Sequence, residues 1–160
     1  FFLSGCFNDS YRLRQISSGS NEFNPVLSGN GKKLAFIMEN NGYKKIIIKD
    51  IANGRLLPVR YLSRHEPYSS PSLSWNGRYL ALITQNEGRR MAFIEDLISG
   101  RVYRLPLRLQ VLPESISLSP DASKAVVEFN NNGKNFLRFL DLSDKLKPDL
   151  LNKSLSNEVN

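Results

Sequence analysis

The sequence has very few of the residues that build covalent or metal-bound frameworks. Among its 160 residues there are one cysteine and one histidine, which excludes a disulfide framework and almost excludes a structural zinc site. It has no apolar run long enough to span a bilayer. It also lacks a Gly-x-Ser-x-Gly nucleophile elbow and an Asp-x-Asp-x-Asp calcium loop. These absences favour a protein that has no cofactor and is not an enzyme.

Two short stretches superficially suggest catalysis. The single histidine, His65, lies in a connector between predicted strands, where we expect a surface residue rather than a catalytic base. Residues 29–33 resemble a phosphate loop, but they lack the Ser or Thr after the lysine and the upstream glycine that such a loop needs. A hairpin turn explains them instead.

Negative charge is the scarcer sign in this chain. Its 22 Lys and Arg residues outnumber 15 Asp and Glu residues, for a formal net charge of +7. Such a balance favours anionic partners or surfaces, although a solvated basic surface without a dedicated site is the simpler alternative. Nucleic acid is disfavoured as a partner because no aromatic platform alternates with the charges.

What the sequence does contain is a repeat with a period in the mid-forties. Residues 71–81 carry the pattern Leu-Ser-x-Asn-Gly-x-x-Leu-Ala after a proline, and residues 25–35 carry it 46 positions earlier. A weaker copy occupies residues 117–126. A second marker, an Asp followed by Ile or Leu, moves in step with the first, at Asp50, Asp96 and Asp141. A fixed period of this length is typical of a repeat architecture.

Each unit reads as antiparallel strands joined by tight turns, because Asn-Gly pairs separate short apolar runs. The predicted strands are residues 24–28, 34–38, 45–49, 55–60, 70–74, 79–84, 91–95, 101–105, 115–119, 124–129 and 135–140. The middle strands are continuous apolar runs, which is typical of a sheet covered on both faces. Four antiparallel strands in about forty residues make one propeller blade. We therefore predict an all-β fold of three four-stranded antiparallel blades, at about residues 23–60, 69–106 and 114–143.

The repeat resembles the WD40-like propeller repeat of the TolB type. In that family the turn is usually Ser-Pro-Asp-Gly preceded by an aromatic residue. Here Trp75 supplies the aromatic residue in the second unit, while Ser119, Pro120 and Asp121 supply the turn in the third, with Ala122 in place of glycine. The resemblance implies a non-enzymatic protein-binding or scaffold module of the bacterial cell envelope. Propellers of this type also accompany peptidases, so an enzymatic role would need a partner domain.

The start of the chain carries a second resemblance. Residues 3–6, Leu-Ser-Gly-Cys, resemble a bacterial lipobox, in which the cysteine is lipidated and becomes the mature N-terminus. This implies an exported lipoprotein anchored to a membrane through Cys6, facing the periplasm or an equivalent extracytoplasmic space. The alternative is that Cys6 is an ordinary thiol in an apolar strand. We assign residues 1–10 to the signal remnant, lipobox and tether, residues 11–143 to the propeller repeats, and residues 144–160 to a flexible C-terminal tail.

Two candidate binding surfaces follow from the repeat. Cations recur at the second hairpin of each unit, and corresponding turns of successive blades lie on one rim. This predicts a partner-binding rim at Lys44, Lys45, Arg89, Arg90 and Lys134. The alternative is that the charges only prevent edge-to-edge aggregation. The first strands predict a central channel lined by Asn24, Ser70 and Ser115, and with it the alternative function of a small-ligand or glycan sensor in a closed ring.

Three units do not close a ring, because closed propellers have about four to eight blades. The third unit lacks an obvious fourth strand, and residues 11–16 precede the first unit at the spacing expected of one. We expect two chains to exchange these strands in a six-bladed homodimer. A monomeric arc capped by its own termini, and a partner that supplies further blades, are the alternatives.

Overall fold

A computed structural model describes residues 20–69, 71–106 and 111–149. Within them, twelve strands form three antiparallel sheets that follow one another along the chain, and there is one 3-10 helix. This confirms the predicted all-β architecture of propeller blades. Cys6, the predicted strand at residues 11–16 and the channel candidate Ser70 lie outside the described residues.

The first blade contains β1 (Asn21–Leu27), β2 (Lys33–Asn40), β3 (Tyr43–Asp50) and β4 (Leu56–Leu57), in that order across the sheet. β2 and β3 pair along their whole length. β4 is shorter than the strand predicted at residues 55–60. Pro58 follows it directly, and proline has no N–H to donate to a neighbouring strand.

The second blade contains β5 (Glu66–Pro67), β6 (Ser72–Leu73), β7 (Tyr79–Asn86), β8 (Arg89–Asp96) and β9 (Val102–Arg104). β5 and β6 both pair with β7, so they are the two halves of one interrupted inner strand. The five segments of this sheet therefore form a blade of four strands, in which β5 and β6 together count as the first. A 3-10 helix, Leu62–Arg64, lies in the connector that leads from the first blade into β5.

The third blade contains β10 (Leu112–Leu118), β11 (Lys124–Asn131) and β12 (Lys134–Asp141). Within the described ranges β12 is an edge strand, because the sheet has no fourth strand there. Its side chains alternate in burial, and two apolar ones on the outer face are largely exposed, Leu137 at 70% and Phe139 at 62%. The sequence of this unit likewise has no obvious fourth strand after β12, and the strand that we predict at residues 11–16 lies outside the described residues.

The core lies between the blades rather than within one of them. Along β7, Leu80 and Leu82 pack against the first blade, whereas Tyr79, Ala81 and Ile83 pack against the third. Leu80, Ala81, Leu82 and Ile83 have no exposed surface. Burial of each such leucine or isoleucine contributes on the order of 2 kcal/mol. The continuous apolar run in the sequence thus corresponds to a sheet covered on both faces, as predicted.

The chain after β12 packs back onto the blades, which corrects the assignment of a flexible tail from residue 144. Leu142 and Leu146 are buried in the core between the second and third blades. The Tyr79 hydroxyl donates a hydrogen bond to the Lys147 carbonyl oxygen at 2.9 Å, and Asp149 is 5% exposed. We name residues 142–149 the C-terminal strap. Residues 150–160 lie outside the described part of the chain.

Candidate functional site

The first repeat marker, the Leu-Ser-x-Asn-Gly pattern, stabilises a turn rather than forming a binding site. In each blade its serine hydroxyl accepts a hydrogen bond from the backbone N–H five residues further on, at 3.0 Å. The three pairs are Lys33 to Ser28, Tyr79 to Ser74, and Lys124 to Ser119. Gly31, Gly77 and Ala122 take positive φ at the end of these turns, which explains the glycine of the motif. The marker recurs because each blade needs this turn.

The second marker also has a structural role. Asp50 accepts hydrogen bonds from the backbone N–H groups of Ala52 and Asn53, and Asp96 accepts them from Ile98 and Ser99. Each carboxylate therefore closes the turn that follows the third strand of its blade. Asp141 does the same through the Ser143 N–H at 3.0 Å.

Asp96 differs from its two equivalents because it is also paired with a cation. The Arg78 guanidinium donates to both carboxylate oxygens, with Nη2 2.7 Å from Oδ2 and Nε 3.2 Å from Oδ1. Burial alone would raise the pKa of Asp96, but the hydrogen bonds from Arg78 and the turn amides outweigh it and lower the pKa to about 2. The ion pair is nearly buried on the carboxylate side, which marks it as part of the scaffold.

The C-terminal strap replaces the usual partner of the turn serine in the second blade. Ser28 and Ser119 donate to the side chain two residues further on. Ser74 instead donates to Asp149 at 2.6 Å, and Asp149 also accepts from the Asn76 backbone N–H at 2.7 Å. The strap is therefore hydrogen-bonded to the central blade through a buried carboxylate.

The predicted binding rim consists of three equivalent hairpin tips. Asn41, Glu87 and Asn132, each followed by a glycine, all take positive φ, as two-residue hairpin turns require. Immediately after these tips lie the predicted cations, of which Lys45, Arg89 and Lys134 are exposed and Lys44 and Arg90 half-buried. Arg89 and Lys134 directly follow the glycine of their tips, a place that Tyr43 takes in the first blade, whereas Lys44 corresponds to Arg90. Each tip therefore carries cations, although not all of them lie at equivalent positions.

Arg90 differs from the other rim cations because it forms an inter-blade contact. Its guanidinium is ion-paired with Glu114 of the third blade and lies 3.7 Å from the ring centroid of Tyr68. The Tyr68 hydroxyl donates to Glu114 at 2.8 Å. Burial and the hydrogen bond to Glu114 raise the pKa of Tyr68 above its ordinary value. The charge of Arg90 is thus neutralised within the fold.

A groove of about 570 Å³ lies between the first two hairpin tips. We name it the first inter-blade groove. Lys44 and Lys45 line one wall, Gln85 to Glu87 line the other, and the connector contributes Ser63, Arg64, His65 and Glu66. Among the described residues the two ion pairs are Arg78 with Asp96 and Arg90 with Glu114. Lys44, Lys45 and Arg64 therefore have no carboxylate partner there.

A buried carboxylate holds the connector that carries Arg64 and His65. Glu95 in β8 has no exposed surface. Its Oε1 accepts from the backbone N–H groups of Arg60 and Tyr61 at 2.8 and 3.2 Å, and its Oε2 accepts from Tyr61 and Leu62 at 3.1 and 2.8 Å. Three amides thus converge on one carboxylate, which positions the connector on the second blade.

His65 is half-buried rather than a plain surface residue. Its ring packs 4.4 Å from the Tyr61 ring and 5.8 Å from the Phe93 ring, measured between centroids. Its Nδ1 lies 3.2 Å from the Tyr61 carbonyl oxygen. No serine, cysteine or carboxylate is bonded to this ring among the described residues, so the geometry assembles no catalytic triad around it. Arg64 and His65 were not predicted as site residues. Their only signal in the sequence is their place in the connector.

Two of the channel candidates, Asn24 and Ser115, lie where the inner strands break register. Asn24 sits in the bulge of β1 between Phe23 and Val26 and takes a positive φ of 54°. Ser115 follows the bulge of β10, and its hydroxyl donates to Glu128 Oε2 at 3.0 Å. Bulges re-aim side chains, but Ser115 already has a partner within its blade. The described residues hold no cluster of three metal-ligating side chains, and no helix among them is long and apolar enough to cross a membrane.

The comparisons with known proteins identify the fold. No family model matches the sequence, and no curated protein does. TolB from Acinetobacter baumannii superposes with a TM-score of 0.65 at 17% identity, over 81% of this chain and 32% of that one. Putative TolB from Agrobacterium tumefaciens gives a TM-score of 0.64 at 14% identity, over 79% and 48%.

A third solved structure is the β-propeller domain of the Trilobed protease from Pyrococcus furiosus. It gives a TM-score of 0.61 at 14% identity, over 84% of this chain and 43% of that one. The chain thus spans between about a third and a half of the length of these three structures. Its fold is that of a stretch of TolB-like propeller.

Proposed function

We propose that this chain is a non-enzymatic protein-binding module of the bacterial cell envelope, anchored to a membrane through lipidated Cys6. The observation that carries the proposal is the set of exposed cations at the equivalent hairpin tips, Lys45, Arg89 and Lys134. The three blades present them without ion-pair partners among the described residues. Complementary charge steers association and selects partners. The anionic partner of this proposal is an acidic face of another envelope protein.

The likeness to TolB supports a binding role for a propeller face. A charge-reversed protein, with Lys45, Arg89 and Lys134 all changed to Glu, should lose the partner that the wild-type chain captures. We would introduce a photo-crosslinking residue at Tyr43, beside the first tip, and compare the crosslinked species from intact envelope with and without the reversals. Equal crosslinking in both would refute the rim as the binding surface.

The anchor is tested separately. Wild-type protein should incorporate radiolabelled palmitate and fractionate with membranes, whereas Cys6→Ala should do neither. The same two proteins should bind the partner equally in detergent extract, because the rim is untouched. A Cys6→Ala protein that still carries label would show that the thiol is not the lipidation site.

A homodimer remains our proposal for the outer face of the third blade. β12 presents Leu137 and Phe139 to solvent along an edge strand, and contiguous apolar surface of this kind favours association. Light scattering should give twice the monomer mass, and Leu137→Lys with Phe139→Lys should return it to the monomer value. A monomer mass for the wild-type chain would refute this proposal.

The channel sensor is the alternative function. The support for it is the bulge that recurs on the inner strands beside Asn24 and Ser115. Asn24→Ala with Ser115→Ala should abolish binding of a small ligand while the rim variants leave it intact.

A further inference from the structure

We propose that the first inter-blade groove binds an extended peptide segment whose Asp or Glu side chains are spaced apart along it. This inference rests on the proposed function, because it names the site and the partner chemistry within the positive rim. It depends on three observations: which cations of the groove have no carboxylate partner, which acidic residues lie among them, and which apolar surface is exposed beside them.

The cations of this groove are available to a ligand, whereas the equivalent cation of the next groove is not. Lys44 corresponds in the repeat to Arg90, which Glu114 and Tyr68 hold within the fold. The residue of the second blade that corresponds to Glu114 is Tyr68, which has no charge to offer Lys44. The Lys44 ammonium lies 5.9 Å from the centroid of the Phe23 ring, but, like Lys45 and Arg64, it has no ion-pair partner among the described residues. These three side chains therefore supply positive charge to the first groove that no carboxylate of the described residues neutralises.

The acidic residues of the groove decide what kind of anion fits. Glu66 and Glu87 line it together with the three cations, and both are exposed. A dense anion such as a phosphorylated headgroup would bring several charges close to these carboxylates and be repelled by them. Single carboxylates spaced along a chain can each face a cation and avoid both glutamates. The charge pattern therefore favours an acidic peptide over a phosphate-rich surface.

An exposed aromatic ring stands at the mouth of the groove. Tyr43 is 76% exposed and begins the wall that carries Lys44 and Lys45. Tyrosine supplies a large contact area at a low entropic cost and is enriched at protein interfaces. The connector that brings Arg64 to the groove is held to the second blade by the hydrogen bonds of Glu95 to Arg60, Tyr61 and Leu62. The groove thus has spaced positive charge and an apolar contact for the side chains between them.

The test is a binding titration with the full chain and fluorescein-labelled peptides of alternating Glu and Gly, about ten residues long and so roughly 33 Å when extended. Peptides of alternating Lys and Gly, and vesicles containing phosphatidylglycerol, serve as the competing ligands. Wild-type protein should bind the acidic peptide, and Lys44→Glu with Lys45→Glu should weaken this about tenfold. An exposed ion pair changes affinity by a factor of about two to five, and two charges are reversed.

The matched control changes the same charge on the same rim outside the groove. Arg89→Glu with Lys134→Glu reverses two cations that belong to the rim of the proposed function but do not line the groove, so it should weaken peptide binding by no more than about twofold, against about tenfold for the groove variant. Glu87→Gln removes one of the repelling carboxylates and should strengthen binding about twofold. These three variants lie at exposed or half-buried positions on hairpin tips, so thermal melting should confirm that they fold as the wild type does.

Each outcome separates the groove from the rim as a whole. An equal loss in both double variants would overturn the groove and leave the positive rim of the proposed function standing. Binding of the acidic peptide that neither double variant weakens would overturn both proposals. If Lys44→Glu with Lys45→Glu reduces vesicle binding but not peptide binding, the groove takes lipid headgroups and the peptide assignment is wrong.

Discussion

Replacement of Glu95 by glutamine tests whether one buried carboxylate fixes the connector between the first two blades. Glutamine keeps a single carbonyl oxygen, which can still accept from two of the three amides that converge on Glu95. Its own amide then faces the third donor, the N–H of Leu62. A buried N–H without an acceptor costs about 1–3 kcal/mol, and the remaining hydrogen bonds lose the contribution of the charge.

The free energy of unfolding should therefore fall by about 3 kcal/mol in Glu95→Gln. Glu95→Ala leaves all three amides without an acceptor and should cost about 3–5 kcal/mol. For a chain of this size, a loss of about 3 kcal/mol lowers Tm by roughly 6–12 °C. Urea unfolding followed by the fluorescence of Trp75, the single tryptophan, measures the change directly.

Glu22→Gln is the control, because Glu22 is an exposed glutamate in β1 and should change stability by less than about 0.5 kcal/mol. Two results would refute the reasoning. One is a Glu95→Gln protein as stable as the wild type, which would mean that another acceptor, such as water, replaces the lost carboxylate oxygen for the amides of Arg60 to Leu62. The other is an equal loss in Glu22→Gln, which would mean that the effect is not specific to the buried site.

Three further predictions concern the turn side of the blades. Asp149→Asn should destabilise the chain by about 2 kcal/mol, because the amide nitrogen that replaces Oδ1 cannot accept from Asn76 Nδ2, and the hydrogen bonds from Ser74 and the Asn76 N–H to the remaining oxygen lose the contribution of the charge; urea unfolding measures this. The pKa of Asp96 is lower in the folded state, so its contribution is present above about pH 4 and is lost as pH falls towards 2. In Arg78→Met, ionised Asp96 should contribute less to stability. Above about pH 4 the free energy of unfolding of this variant should be about 2 kcal/mol lower than that of the wild type, and unfolding curves taken at each pH should show the difference shrinking as pH falls towards 2. Gly29→Ala should lower Tm by several degrees in calorimetry, because the added Cβ would lie 2.5 Å from Trp75 Cε3. Gly31→Ala should lower Tm less, because Gly31 has open space around it and only its positive φ disfavours alanine.

The repeat was enough to predict the blades. An Asn-Gly pair requires positive φ at a hairpin turn, and an apolar run without alternation requires cover on both faces, so both features have a direct counterpart in the sequence. The central strands at residues 79–84 and 91–95 accordingly lie inside β7 and β8. Outer strands were less predictable, because they pair with one neighbour only and a single proline, such as Pro58, ends the pairing.

The contacts that shape the candidate site could not be predicted in this way. Glu95 looks like an ordinary polar residue at the end of a strand, and its three amide partners lie more than thirty positions earlier in the chain. Asp149 reaches Ser74 across 75 positions from a stretch whose composition indicates a tail. The pairing of Arg90 with Glu114 likewise depends on how two blades sit side by side. Periodicity identifies equivalent residues, but it does not say which of them meet a partner.

The spacing of the inter-blade contacts has an evolutionary consequence. Asn30 bonds to Asn76, Tyr68 to Glu114, and Leu118 to Ser72, and in each case the two residues are 46 positions apart. Each repeat unit therefore carries both the surface that contacts the preceding blade and the surface that contacts the following blade. Duplication of a unit would insert a blade that already matches its neighbours on both sides. Gene duplication can thus change the number of blades in one step, without a new interface having to evolve.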